Sequence, residues 1–497
     1  MEENINSGSG KDYMKMENFD KVEDSEEKPQ NKNSFLSQKK CLIIISSIIL
    51  LIIIIIIIIL ILVLNKDKDI EKDLCEKGDE EKCLSCSEKK GECSSCNPGY
   101  ILTNGKCEPN YSFRAIYHTN SESENIDLFF SLPSVIDKMI IDGKDILPSK
   151  NYTFLTPGSH KLYVLMDISN CTSLSKMFFN IKNLKEIIFT KYFDTKTILE
   201  MKGMFSSCSS LSSIDITYFD TQNVKDLSSL FSLCSSLTSI DLKNIKTQNV
   251  TSMNSMFYGC KSLTSVDISH FDTTNVQDLR NMFTNCYLLT SVDISNFNTK
   301  NIFHIKSLFS DCFSLKYINL PKFDSDKLID MTYLFSGCSS LTSLNLSNFN
   351  TKNVRSLRKL FYNCSSLVSV DLSNIITDDM YDLSYLFYGC SSLLSIHLYN
   401  FNTQNVKDMS YMFYNCSSLK SIDLSNFTTQ KLTDLDYMFY YCSNLIYLDI
   451  SKFEINSHKN ISIFNSLPDN GTIKIRKNFS EIIQNQIPIN WNISIIE

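Results

Sequence analysis

Proline and glycine are scarce, 9 and 13 in 497 residues, tryptophan occurs once and histidine six times. Collagen-like and low-complexity disordered chains need far more Gly and Pro, so both classes are excluded. Positive charge is not in excess either. A net charge of −7 speaks against a chain that binds nucleic acid by neutralising phosphates, and no nucleic-acid partner is expected. The histidines, at 118, 160, 270, 304, 397 and 458, show no metal-ligand spacing, and neither a Gly-rich phosphate loop nor a nucleophile elbow occurs. Catalysis needs one convergent set of unique residues. This reading therefore assigns no catalytic residue, no metal and no cofactor, and expects no enzyme.

What the chain has instead is one long apolar run. Residues 41–64 read CLIIISSIILLIIIIIIIILILVL without a charge. As a helix this run spans roughly 36 Å, more than the hydrocarbon core of roughly 30 Å. About forty polar residues precede it, which does not fit a cleaved signal peptide. The sequence thus predicts a single transmembrane helix at 41–64 with 1–40 as a disordered cytosolic tail. Lys39 and Lys40 nearly tie with Lys66 and Lys68 under the positive-inside rule. The cysteines that follow place the C-terminal side in an oxidising compartment. The expected localisation is the plasma membrane, single-pass, N-terminus cytosolic and C-terminus extracellular, with the membrane itself as one partner.

Cys75, Cys83, Cys86, Cys93, Cys96 and Cys107 crowd into 33 residues. Their spacing admits three disulfides or a zinc site with two Cys-x2-Cys knuckles; an even count in a short segment favours disulfides, in no deducible pairing. With Asn97-Pro98-Gly99-Tyr100 as a late turn, the pattern resembles EGF-like and furin-like modules, which implies a disulfide-rich stalk over 65–109. From 110 to 170, short runs such as Lys138-Met139-Ile140-Ile141 alternate with the turn signals Asp142-Gly143 and Pro157-Gly158. They predict a β-rich spacer or N-terminal cap.

Cysteines then recur at 208, 234, 260, 286, 312, 338, 364, 390, 416 and 442, a constant spacing of 26 residues. A fixed period in this range marks a solenoid. In the unit CSSLKSIDLSNFTTQKLTDLDYMFYY, Leu419, Ile422 and Leu424 form an L-x-x-I-x-L strand pattern. In the unit before it, Val406, Met409, Met412, Phe413 and Cys416 carry the apolar face of a short helix, with Asn405 as its N-cap and Asp408 in its first turn. A strand plus a short helix cannot bury its apolar face alone, so units stack.

The unit resembles the 26-residue BspA-type leucine-rich repeat of microbial surface proteins. Met256-Phe257-Tyr258-Gly259-Cys260, Val266-Asp267-Ile268-Ser269-His270-Phe271-Asp272-Thr273 and Asn275-Val276 carry the likeness. It covers about residues 171–452 and leaves 453–497 as a C-terminal cap. The resemblance implies an α/β leucine-rich-repeat solenoid, parallel strands plus short helices, and surface display with adhesion. The expected function is a non-enzymatic binding or adhesion protein that meets an extracellular protein or glycan. The alternative is a single-pass signalling receptor. The first unit departs from the pattern, with Ile181 in the cysteine slot, which suggests that the slot wants an apolar filler and that the cysteines are buried thiols rather than bridges between coils.

Side chains alternate along a strand, so the residues flanking the central Ile face outward. One outward column is mostly serine, broken by Tyr317 and Tyr447. The other is Asp215, Asp241, Asp267, Asp293, Asp371, Asp423 and Asp449, broken by Asn319, Asn345 and His397. Stacked like charges repel, which hints at a cationic ligand or calcium, although solvated charge is the ordinary state of such a face. The ligand-surface candidates are Asp215, Asp241, Asp267, Asp293, Tyr317, Asn345, Asp371, His397, Asp423 and Tyr447, with specificity expected at the breaks. Asn-x-Ser/Thr acceptors suited to glycosylation stand at Asn110, Asn151, Asn170, Asn249, Asn345, Asn426, Asn460, Asn470, Asn478 and Asn492.

Overall fold

The computed structural model describes residues 83–86, 93–97, 99–103, 106–131, 135–454 and 461–497. The described architecture is a β-solenoid of about eleven turns. Its N-terminal end is a cap sheet. The long strand Gly158–Met166 pairs antiparallel with Phe113–Thr119 on one side and with Ile136–Ile141 on the other, and Ile136–Ile141 turns through Asp142-Gly143 into Lys144–Ile146. Alternating apolar residues make this possible: Phe113, Ala115 and Tyr117 are buried on one face. The same strand Phe113–Thr119 pairs antiparallel with Leu184–Phe189, the first strand of the solenoid, with Ala115 opposite Ile187. An ion pair of 2.7 Å between Arg114 and Glu186 fastens the joint. Cap and solenoid thus share one six-stranded sheet.

From Leu184–Phe189 onward the strands run parallel and in strict register, Ile187 beside Ile214, Val292 beside Ile318, Leu344 beside Val370 and Ile422 beside Leu448. Register is fixed by the interior. Twelve phenylalanines from Phe178 through Phe309 to Phe464 form one file, adjacent rings stacked at 5.4 to 5.9 Å. Each stacked pair contributes about 0.5–1.5 kcal/mol beyond burial, and a coil shifted by one residue would lose it. Beside this file runs the cysteine column. Each thiol is buried and free, and each donates to the backbone carbonyl of the phenylalanine one coil back, as in Cys312 to Phe283 at 3.1 Å. Ile181, in the same slot of the first coil, is likewise buried. A third column ties coils reciprocally: Thr377 Oγ1 donates to the Asn402 carbonyl at 3.0 Å and accepts the Asn402 N–H at 2.7 Å.

The expected helices are absent, and the α/β reading is corrected to a β-solenoid. Among the described residues the one α-helix is Lys477–Ile483, continued by a 3-10 turn at Gln484–Gln486, in the C-terminal cap. Where the periodicity suggested a helix at 406–416, alternate amides point to different partners. Met409, Tyr411, Phe413 and Asn415 donate to Asp434, Asp436, Met438 and Tyr440 of the next coil, while Met412, Tyr414 and Cys416 close local turns onto Met409, Tyr411 and Phe413. Tyr411 and Asn415 both have φ of 57°, the left-handed region that ends a helix. Asn405, read as an N-cap, instead donates Nδ2 to the Asp378 carbonyl of the preceding coil at 2.7 Å.

The membrane reading is corrected as well. No helix among the described residues is long and apolar enough to cross a membrane, and residues 41–64, with the tail 1–40, lie outside the described residues. The placement as a single-pass plasma-membrane protein therefore has no support and is not carried forward. Among the described residues of the cysteine-rich segment, Cys96 and Cys107 form a disulfide. Cys75 lies outside the described residues, and Cys83, Cys86 and Cys93 are described in backbone alone.

Candidate ligand-binding face

The strand face is built by the shortest possible strands. Ser291–Asp293, Tyr317–Asn319, Ser343–Asn345 and Ser369–Asp371 each bury or half-bury the central residue and expose both flanks. Each strand stops after its Asp or Asn because that side chain captures the backbone two residues on. Asp293 Oδ1 accepts the Ser295 N–H at 2.9 Å, Asp371 that of Ser373 at 2.9 Å, and Asn345 that of Ser347 at 2.8 Å. Asp215, Asp241, Asp267, Asp423 and Asp449 do the same. This local competition with the ladder is what Asp and Asn do at turns. The acidic column is thus first a turn-making device, which neither repulsion nor calcium is needed to explain.

Electrostatics follow from those bonds. The hydroxyl and amide of Ser269 hold Asp267 below the usual carboxylate range, and those of Ser295 together with Asn319 do so for Asp293. Asp371 is lowered by the Ser373 amide, and Asp241 by Lys243, whose ammonium lies 2.6 Å away. Asp449 is the buried member. Burial opposes its charge, but Ser451 and Lys474, at 3.3 Å, outweigh it and its pKa falls. Among the described residues no group of three or more His, Cys, Asp or Glu is placed to hold a metal ion.

The structure gathers part of the sequence-derived set into one place. A shallow groove of about 720 Å³ is lined by Asp293, Tyr317, Asn319, Asn345 and Asp371, floored by Val292, Ile318, Leu344 and Val370. Tyr317 stands up from it, 74% exposed, and Asn319 Nδ2 donates to Asp293 Oδ2 at 3.0 Å across the coil boundary. Asp215, Asp241 and Asp267 continue the column on one side, His397 and Asp423 on the other, all outside the groove. Tyr447 is already engaged, its hydroxyl 3.4 Å from Asp449 and the Lys474 ammonium 5.6 Å from its ring centre.

Of the glycosylation candidates, Asn110, Asn151, Asn170, Asn249, Asn345, Asn470, Asn478 and Asn492 are exposed, Asn426 is half-buried and Asn460 lies outside the described residues. Asn249 and Asn426 are spoken for: their amides donate to the Gln222 carbonyl at 2.7 Å and the Phe401 carbonyl at 2.9 Å. Sequence reasoning treated the histidines as scattered, yet the cap brings His160 between Asp142, at 2.7 Å from Nδ1, and Thr119, at 3.1 Å from Nε2. Thr119 is 1% exposed and its hydroxyl is spent on the Thr156 carbonyl, so this constellation braces two cap strands. Two columns of stacked tyrosines between residues 362 and 441 also escaped the sequence reading. Their signal was tyrosine recurring at two fixed repeat positions in consecutive later coils, with Tyr258 and Tyr333 as isolated earlier instances.

The chain is similar to several solved bacterial proteins. A leucine-rich repeat protein from Bacteroides ovatus is 19% identical over 71% of this chain and 91% of that one, with a TM-score of 0.32. A leucine-rich cell surface protein from Faecalibacterium prausnitzii is 17% identical over 60% and 87%, with a TM-score of 0.30. The functional domain of InlJ from Listeria monocytogenes, described as including a cysteine ladder, is 15% identical over 65% and 72%, with a TM-score of 0.21. No curated protein matches the chain. The profile of the BRINP C-terminal domain matches residues 67–132. The profile described as Mycoplasma protein of unknown function, DUF285, matches residues 160–265, 234–343, 289–393 and 357–472. These overlapping matches run from 160 to 472, well over half of the chain, and the protein belongs to that DUF285 family.

Proposed function

We propose that this protein is a non-enzymatic binding or adhesion protein whose strand face holds an extracellular protein or glycan. The observation that carries the reading is the groove itself. A monotonous column of Ser and Asp is interrupted at Tyr317, Asn319 and Asn345, three residues that share one groove, and the exposed Tyr317 ring does no packing work. Tyrosine supplies a large, rigid, amphipathic contact at low entropy cost, which suits it to binding surfaces. The likeness of the unit to BspA-type repeats points the same way. The receptor alternative rested on a spanning helix and is dropped with it.

The test is binding of the purified chain to arrays of glycans and extracellular-matrix proteins. It is repeated with Tyr317→Ser, Asn345→Asp and His397→Asp combined, which restores what neighbouring coils carry. Loss of a hit by about tenfold or more, the scale of one hot-spot tyrosine, supports the reading, and unchanged binding overturns it. The segment 65–109, closed at its end by Cys96–Cys107, is read as an EGF-like or furin-like stalk. Non-reducing peptide mapping that found Cys75, Cys83, Cys86 and Cys93 as free thiols would remove that part.

A further inference from the structure

Tyr317 presents a ring with both faces open. Its neighbours in the column are Ser291 and Ser343, side chains too short to lie over a ring. Among the described residues the Tyr317 side chain makes no hydrogen bond, ring contact or cation contact, and the residue is 74% exposed. Aromatic rings elsewhere on this solenoid are covered. Tyr447, in the same column, has the Lys474 ammonium 5.6 Å from its ring centre, and Tyr385, Tyr411 and Tyr437 cover one another at 4.6 and 4.8 Å.

The coil that carries Tyr317 also releases a side-chain acceptor. In the flanking coils Asp293, Asn345 and Asp371 each spend an oxygen on the amide two residues on. Asn319 cannot, because two residues on stands Pro321, which has no N–H. Its Nδ2 donates to Asp293 at 3.0 Å, and its Oδ1 is left without a partner among the described residues. Asn345 is the complement: its Oδ1 takes the Ser347 amide at 2.8 Å and its Nδ2 donor is unspent. The hydroxyls of Ser343 and Ser369 are likewise unspent, and all of these groups line the groove that holds Tyr317.

We propose that this groove takes a neutral oligosaccharide laid across the coils, one sugar ring on a face of Tyr317 and its hydroxyls on Asn319, Asn345, Ser343 and Ser369. The assignment rests on the strand-face binding site proposed above and names its ligand class. One face of a pyranose is a set of C–H groups, which suits the negative face of an aromatic ring. Its hydroxyls both donate and accept, which matches a rim offering an amide oxygen, an amide nitrogen and hydroxyls. A peptide is the poorer fit. An extended peptide is held by adding to a free strand edge, and here Tyr317–Asn319 lies against Ser291–Asp293 and Ser343–Asn345 against Ser369–Asp371. An acidic sugar would meet Asp293 and Asp371, with Lys316 as the one cation lining the groove.

The experiment measures fluorescence anisotropy of labelled probes titrated with the full chain: neutral hexasaccharides of glucose, mannose, galactose and N-acetylglucosamine, a heparin hexasaccharide, and a fibronectin fragment. The variants are Tyr317→Ser, which restores the residue of both adjacent coils, Tyr317→Phe, which keeps the ring, and Tyr399→Ser, which removes an exposed tyrosine outside the groove. A neutral hexasaccharide is expected to bind at least about tenfold tighter than heparin and to be weakened about tenfold by Tyr317→Ser, the scale of one hot-spot aromatic. Tyr317→Phe should stay within about twofold, since the ring face is kept, and Tyr399→Ser should change nothing. Heparin bound as tightly, or equal loss in Tyr317→Phe or Tyr399→Ser, overturns the proposal. If no neutral hexasaccharide binds but Tyr317→Ser releases the fibronectin fragment, the oligosaccharide falls and the strand-face reading stands. If no probe responds to Tyr317→Ser, both fall.

Discussion

Each ladder cysteine is a small apolar plug whose thiol is spent on a phenylalanine carbonyl. Burial pushes Cys208, Cys260 and Cys442 up to about 12, from an ordinary value of 9.0. Below pH 9 folded and unfolded chains bind the same thiol protons. Between pH 9 and 12 the unfolded chain releases them and the native one does not, so stability that is whole below pH 9 drains away as pH rises. Urea unfolding at pH 8 and pH 10.5 should show a steep loss of stability, smaller in a variant with several ladder cysteines replaced by alanine. Maleimide should label the ten ladder thiols only after denaturation; labelling of the native chain would mean that the column is open. This much was legible at the residue scale, because Ile181 in the cysteine slot already says that the slot is apolar. The role of the aspartates was not. An Asp that ends a strand by binding the amide two residues on looks, in a bare sequence, like any exposed Asp.

At the scale of the element, apolar residues at i, i+3, i+6 and i+7 fit both an amphipathic helix and a chain of three-residue turns, and the pattern alone cannot separate them. The separating signal lay one residue before seven of the ten ladder cysteines. Gly259, Asn285, Asp311, Gly337, Asn363, Gly389 and Asn415 all hold positive φ and are the residue types that tolerate it. Gly337 shows the constraint most sharply: its φ is 74°, and an added Cβ would stand 3.0 Å from Asp311 Cα. Gly337→Val should destabilise by at least about 1–2 kcal/mol, the left-handed penalty alone, whereas Asn363→Gly should be close to neutral; urea midpoints compare the two. Phe309→Ala, in the middle of the stacked file, should lose about 3–5 kcal/mol.

For the whole molecule, the 26-residue period and the L-x-x-I-x-L pattern were enough to give a stack of parallel coils with its polar columns outward. The groove was half legible, since the sequence marks where the column breaks but not that Tyr317, Asn319 and Asn345 meet in one hollow. The stacked tyrosine files were not, because their rings come together only after the turns have folded. A solenoid is held by contacts between neighbours, so Phe309→Ala should also split the unfolding transition, the two flanking stacks melting apart. The central claim is that the coils are short strands or extended segments followed by turns, with no helix in the repeat. Far-ultraviolet circular dichroism of the purified chain tests it most directly. A β-type spectrum with a single minimum is the expected result, and a double helical minimum of the size that one short helix per coil would give contradicts it.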